Sequence, residues 1–168
     1  MSQHRDRNAG TTRDGGRALL LLRAGGVAFA VYADECECVT PWSEPAPLPH
    51  APATVLGVAP VRGRMRTVLD PARLFETSGS SHERRPSEPA LIASLNGDEQ
   101  LALAVETSAA ATLHAGDELS PPDPPALPAR GTFERDGETV HLLDPARLFD
   151  AAMSGTERRR QRAVNREP

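Results

Sequence analysis

The chain has 168 residues, of which 39% are hydrophobic and 25% are charged, and its formal net charge is −4. These values are typical of a globular protein with one ordinary domain or two small ones. The longest apolar run, around Ala18–Leu22, is far shorter than the ~20 residues that a membrane-spanning helix needs, so we expect no direct membrane insertion. Residues 1–10 lack the apolar stretch of a secretory signal, and Cys36 and Cys38 provide no disulfide framework. These features predict a cytoplasmic protein.

Both ends of the chain are basic and lack apolar periodicity. Residues 1–17 contain four arginines and two aspartates, and residues 154–168 contain five arginines and two glutamates. Segments of this kind cannot bury enough apolar surface to fold, so we predict disordered tails over both ranges. The basic C-terminal tail suggests nucleic-acid binding as an alternative function, although a short arginine run more often serves solubility.

The first half between the tails has the pattern of short strands. Apolar residues alternate or run continuously over four to eight positions, and glycine or proline bounds each run. The predicted strands are 18–23, 27–32, 35–40 and two within 55–70 that turn near Gly63. Residues 41–52 contain too many prolines for a central strand.

The second half repeats this order after a predicted linker over 77–89. A hairpin turns at Asn96-Gly97, residues 107–116 are the predicted third strand, and a second proline tract covers 121–128. The last two strands, within 130–144, turn at Asp136-Gly137. We therefore expect one domain over 18–153, in which subdomain one spans about 18–76 and subdomain two about 90–153.

The phrase LDPARLF occurs twice, as Leu69–Phe75 and again 74 positions later as Leu143–Phe149. In each copy the aspartate stands where a helix N-cap belongs, and the proline stands at the first helical position. Each copy therefore predicts a short helix that closes its half of the chain. Because the repeat contains no catalytic group, it indicates a duplicated scaffold.

No catalytic or metal-binding pattern emerges from the sequence. The five histidines are scattered without metal-ligand spacing, and phosphate-binding and nucleophile motifs are absent. Cys36 and Cys38 lie two apart in a predicted strand, so both thiols should point to the same face and behave as small hydrophobes. We predict a protein that is not an enzyme and that uses no cofactor, metal or small-molecule substrate.

The order and spacing of these motifs resemble those of CheW-like domains. Residues 56–75, LGVAPVRGRMRTVLDPARLF, are similar to the family signature in which a Gly-Val, an Arg-Gly turn, a strand and an aspartate close the first half. Residues 48–58 and 19–39 are similar to the segments that precede the signature, and the second half matches in order. The resemblance covers about residues 18–152.

The resemblance implies an all-β fold of two five-stranded SH3-like β-barrels, which are related by an internal pseudo-twofold and followed by short capping helices. It also implies an adaptor without catalysis, which couples the cytoplasmic tips of chemoreceptors to the regulatory domain of a CheA-type histidine kinase. A groove between the barrels would receive the receptor tip. Nucleic acid is an unlikely partner in this interpretation.

The predicted partner-binding residues follow from the resemblance, with some departures from the family pattern. The family's Asn-Leu-Arg-Gly is here Pro60-Val61-Arg62-Gly63, and a glutamate expected at position 38 is replaced by Cys38, with Glu37 beside it. Arg62 is the strongest candidate, because a turn at Gly63 would project its side chain outward. The alternatives for Arg62 are an internal ion pair with Asp136 or Glu138, or a solvated turn residue without a partner. The full set of predicted partner-binding residues is Arg62, Val39, Cys36, Cys38, Gly57 and Gly63.

Overall fold

The computed structural model describes residues 15–79, 86 and 88–164. For residues 155–164 it describes only the backbone. Short strands dominate this part of the chain, as the sequence predicts, and a short 3-10 turn at Ala33–Glu35 follows the second strand. No helix in this part is long and apolar enough to cross a membrane. The strands are β1 (Arg17–Ala24), β2 (Val27–Tyr32), β3 (Cys36–Pro41), β4 (Val55–Val61), β5 (Arg64–Leu69), β6 (Leu91–Leu95), β7 (Leu101–Val105), β8 (Thr107–Leu113), β9 (Ala129–Arg135) and β10 (Glu138–Leu143), and the helices are α1 (Pro71–Thr77) and α2 (Pro145–Val164).

The strands form two five-stranded sheets, and each sheet takes strands from both halves of the chain. One sheet has the order β8-β1-β2-β10-β9 and the other has the order β3-β6-β7-β5-β4. The prediction of two contiguous subdomains at 18–76 and 90–153 is therefore wrong. The halves exchange their first hairpins: β1–β2 completes the barrel of the second half, and β6–β7 completes that of the first. The pseudo-twofold relates the two exchanged arrangements.

The exchanged hairpins are held by parallel strand pairs. Strand β2 pairs with β10, where Phe29 lies opposite His141, and β5 pairs with β7, where Val68 lies opposite Ala102. Every residue of β2 and β7 is buried. Strands covered on both faces need continuous apolar sequence, and VAFAVY and LALAV supply it.

The side chains of β2 alternate between two cores. Val27, Phe29 and Val31 point into a cluster shared by both barrels, whereas Ala28, Ala30 and Tyr32 fill the interior of one barrel. The larger residues of β2 therefore fill the shared cluster, and the mostly small residues of its other face fit inside the barrel. The shared cluster also receives one residue pair from each helix. These helix residues are Leu74 and Phe75 of α1 and Leu148 and Ala152 of α2.

The two predicted helix caps are present. The Arg73 N–H donates to Asp70 Oδ1 at 3.2 Å, and the Ala146 N–H donates to Asp144 Oδ1 at 3.2 Å. The prolines at 71 and 145 occupy the first helical positions, as predicted.

The C-terminal prediction needs correction. Helix α2 extends to Val164, so the backbone of residues 154–164 is helical where the sequence predicts a disordered tail over 154–168. Glutamate, arginine, glutamine and alanine are good helix formers, and they prolong a helix that the buried Leu148 has already anchored. At the other end, Arg17 begins β1, and the rest of the predicted tail up to residue 14 lies outside the described residues.

The two proline-rich segments cover one edge of each sheet. Ala46 exchanges two backbone hydrogen bonds with Val58 of β4, at 2.8 and 2.9 Å. Ser120, 74 positions later, does the same with Thr132 of β9, at 2.8 Å for both bonds. The duplication therefore includes these bridges, which leave β3 and β8 as the remaining outer strands.

Candidate partner-binding surface

Arg62 and Gly63 form the tight turn between β4 and β5. Their φ angles of 49° and 77° are both positive, as the two central residues of a type I′ hairpin turn require. Both residues are exposed. The Arg62 side chain has no hydrogen-bond or ion-pair partner among the described residues. The alternative of an internal ion pair is therefore wrong, and Glu138 pairs with Arg23 instead.

Apolar and cationic groups surround this turn. Pro60 and Met65 lie opposite each other on β4 and β5, and Met65 is 55% exposed. Arg64 is exposed between Met65 and the turn. We call Pro60, Arg62, Gly63, Arg64 and Met65 the β4–β5 tip. It combines a small apolar patch with two guanidinium groups, which suits a protein partner that presents carboxylates beside apolar side chains.

The equivalent tip of the other barrel has the opposite charge. The duplication relates Arg62 to Asp136 and Arg64 to Glu138, while Asp136 and Gly137 have the same positive φ angles of 52° and 76°. The backbone of the turn is thus conserved between the halves while its charge is reversed. A partner surface that is complementary to one tip is therefore not complementary to the other.

Strand β3 carries the other predicted site residues, and its geometry corrects the expectation for the cysteines. The pairing of β3 with β6 shifts register between Cys36 and Cys38, which is the mark of a β-bulge. Cys36 and Val39 are half-buried against the shared core, whereas Cys38 is buried inside the barrel of β3–β7. The two thiols therefore occupy different surroundings. Of the three residues, Cys36 and Val39 retain exposed surface for a partner.

Cys36 is suited to packing. Burial, with a smaller contribution from Cys38, raises the pKa of the Cys36 thiol to about 11. The thiol stays protonated at neutral pH and donates to the Cys38 carbonyl at 3.6 Å. This agrees with the expectation that the pair behaves as small hydrophobes.

An ion pair between Glu37 and Arg66 joins β3 to the base of the β4–β5 tip. Arg66 is only 2% exposed, and its Nη1 also donates to the Leu95 carbonyl at 3.0 Å. The Nη2 atom of Arg66 binds Glu37 Oε2. Arg66 lies in β5, two residues beyond Arg64. The pair therefore links β5 to β3, the strand that carries Cys36 and Val39.

The sequence does not predict the pair of Glu37 and Arg66. Arg66 belongs to the alternating series Arg62, Arg64 and Arg66. The structure separates the series, since Arg66 turns into the barrel and the other two are exposed. The one indication of this pair in the sequence was Glu37, which lies in β3 beside the position where the family pattern has a glutamate.

Gly57, one of the predicted partner-binding residues, also has a structural role. It is buried with φ 145°, and a Cβ added there would lie 2.7 Å from the carbonyl carbon of Ala46. Gly131 holds the equivalent position beneath Ser120, whose oxygen would lie 2.5 Å from an added Cβ. Both glycines allow a proline-rich segment to pair closely with the sheet edge.

A second ion-pair network, which the sequence did not predict, lies where the chain crosses between the sheets. Arg130 of β9 donates to Glu35 at 2.5 and 2.9 Å and lies 3.8 Å from Asp144. Its guanidinium also faces the Tyr32 ring at 5.2 Å. The hydrogen bond to Glu35 is the main cause that raises the pKa of Arg130. The network connects the 3-10 turn to β9 and to the cap of α2.

These features define a tandem SH3-like barrel protein whose exposed chemistry lies on hairpin turns and strand edges. In the described ranges, no three His, Cys, Asp or Glu side chains come together as metal ligands. The family model of the CheW-like domain matches residues 18–153, and the chain belongs to that family. The family resemblance and the barrel fold predicted from the sequence are thereby confirmed.

Two known proteins illustrate the relationship. The chemotaxis protein CheW of Rhizobium meliloti (strain 1021) is 39% identical over 57 residues, which are 34% of this chain and 37% of that protein. The match thus spans little more than a third of the relative. The crystal structure of the scaffolding protein TtCheW from Thermoanaerobacter tengcongensis is similar, with a TM-score of 0.65 and 16% identity. The similarity covers 80% of this chain and 93% of that one, and it concerns the fold.

Proposed function

We propose that the protein is a non-enzymatic adaptor of a bacterial chemosensory system. It couples the cytoplasmic tips of chemoreceptors to the regulatory domain of a CheA-type histidine kinase. Membership of the CheW-like family supports this role, as does the similarity to a protein named for chemotaxis. The protein would act in the cytoplasm, where receptor tips and kinase meet.

The observation that carries the proposal is Arg62 at the exposed β4–β5 tip, which has no partner among the described residues. Arginine presents a planar fork of donors that matches carboxylates and backbone oxygens, and a partner that supplies them would gain paired hydrogen bonds. Met65 and Pro60 add apolar contact beside it, and the ion pair of Arg66 with Glu37 links β5 to β3, the strand that carries Cys36 and Val39. The receptor tip would contact the β4–β5 tip and these two half-buried residues.

Charge reversal at the tip tests the proposal. In Arg62→Glu, we expect the free energy of unfolding to stay within about 0.5 kcal/mol of wild type, because the side chain is exposed and contacts no charged partner in the part of the chain that the structure describes. Assembly of the ternary complex from purified receptor fragment, kinase and adaptor should weaken at least about tenfold, since a carboxylate would face the partner's acceptors. Thermal melts and quantitative reconstitution measure the two effects.

Asp136→Lys provides the matched control, because it reverses charge on the equivalent turn of the other barrel. This variant should assemble with the receptor as the wild type does. The proposed receptor contact at the β4–β5 tip is wrong if Arg62→Glu folds and assembles normally, or if both variants weaken assembly equally.

A further inference from the structure

Strand β8 is the least protected edge of the two sheets. It is the outermost strand of its sheet and pairs with β1 over all seven of its residues. Thr107, Ala109 and Ala110 are exposed. Its residues make no backbone hydrogen bond beyond those with β1 within the described ranges. One side-chain contact reaches its last part, where Arg135 Nη1 donates to the Thr112 carbonyl at 3.4 Å.

The other three outer strands are protected. The bridges of Ala46 and Ser120 cover β4 and β9. Strand β3, which the duplication relates to β8, has a bulge at Cys36–Cys38, carries the charge of Glu37 and ends at Pro41. Bulges, charges and prolines are the devices by which proteins prevent unwanted pairing of sheet edges. Strand β8, with the sequence TSAAATL, contains no charge, no proline and no register shift.

We propose that β8 pairs antiparallel with β8 of a second copy of this chain, about a twofold axis at Ala110. A row of unpaired backbone groups selects an extended strand as its partner, because only a strand satisfies the whole row. In this register Ala109 lies opposite Ala111 of the second copy, and Ser108 lies opposite Thr112. All the facing side chains are small or uncharged, so the strands approach without repulsion.

The residues that flank β8 support the same partner and register. Glu106 precedes the strand and His114 follows it, and each would lie opposite the other in the second copy. The twofold axis creates this complementary pair of carboxylate and imidazole twice. Because β8 is the one unprotected edge strand in the described sheets, pairing of β8 with β8 of a second copy uses the same surface on both copies. Such a contact closes as a dimer and does not propagate into a filament.

Self-association of the full-length protein tests this inference independently of any receptor or kinase. Sedimentation equilibrium should show a reversible monomer–dimer equilibrium for the wild type. In Ala110→Lys two ammonium groups would face each other at the axis, and the dissociation constant should rise at least about tenfold. Met65→Lys, at an exposed strand position outside β8, is the control and should leave the equilibrium unchanged.

Disulfide trapping locates the contact. Directly opposed residues of an antiparallel pair have Cα atoms about 4.5–5.5 Å apart, which is within disulfide range. Under mild oxidation Ala110→Cys should form covalent dimers well in excess of Met65→Cys, while the two native cysteines are common to both variants. The inference is overturned by a wild type that stays monomeric into the millimolar range. A dimer that Ala110→Lys does not weaken, or equal trapping at both positions, would overturn it as well.

Discussion

Gly57 provides a residue-scale test of how the proline-rich segment is attached to its barrel. We expect Gly57→Ala to lower the free energy of unfolding by about 2–5 kcal/mol, because the new Cβ would collide with the backbone of Ala46 at a φ of 145°. Gly97→Ala is the matched control, since Gly97 has a similar φ of 138° but open space around it. Its cost should be only the backbone strain, about 1–2 kcal/mol.

Denaturant unfolding of both variants measures this difference. Equal losses at Gly57 and Gly97 would mean that the close approach to Ala46 contributes nothing and that conformational strain alone matters. The comparison also separates a structural role for Gly57 from a partner-binding one, because a binding role predicts an unchanged unfolding curve.

The sequence identified individual residues well where local geometry decides and poorly where distant strands meet. The outward turn at Arg62 follows from the adjacent glycine, which local turn chemistry predicts. The partner of Arg66 depends on how the barrel brings β3 and β5 together, and no local pattern reports that. The bulge in β3 likewise separates Cys36 from Cys38 by a shift in pairing with β6.

At the scale of the elements, the aspartate caps of α1 and α2 permit a paired test. Asp70→Ala and Asp144→Ala should each lower the free energy of unfolding by about 1 kcal/mol, because each removes the acceptor for a helix N-terminal N–H. The corresponding asparagine variants retain an acceptor oxygen and should recover most of that loss. Thermal melts of the four variants measure the effect, and an unchanged melt for either alanine variant would contradict capping at that helix.

Most elements were predictable because their signals are local. Apolar runs bounded by glycine gave the strands, and the turns at Asn96-Gly97 and Asp136-Gly137 gave the hairpins of the second half. Helix α2 was underestimated because residues 154–164 have no apolar periodicity. Its extension follows instead from helix propensity added to a segment that Asp144 caps and Leu148 anchors.

For the whole molecule, the exchange of hairpins makes the two halves mutually dependent. We expect residues 1–84 and 85–168, expressed together as separate chains, to form one complex with a single cooperative melting transition. Each fragment alone should fail to give such a transition, because its sheets would lack the parallel partner strand that β2–β10 and β5–β7 pairing provides. Co-purification and circular dichroism provide the measurement. A fragment that melts cooperatively as a monomer would restore the contiguous subdomains.

The fold class followed from the sequence, whereas the route of the chain through it did not. The repeat at 74 positions indicates two similar units, and sequence alone suggests that each closes on itself. Whether β2 pairs within its own half or with β10 depends on long-range parallel contacts, and the apolar pattern of VAFAVY satisfies either arrangement equally. Hydrophobic periodicity and turn signals therefore could not predict the exchange of hairpins.

The exchanged hairpins also determine how such a chain could arise. An ancestral polypeptide with a single half could complete the same barrels only by lending its first hairpin to another molecule, so its folding would depend on concentration. Gene duplication and fusion place both halves on one chain and replace that encounter with a high effective concentration set by the short connection between Gly79 and Leu91. Only then can the two turns diverge independently, as the opposite charges of Arg62 and Asp136 have done.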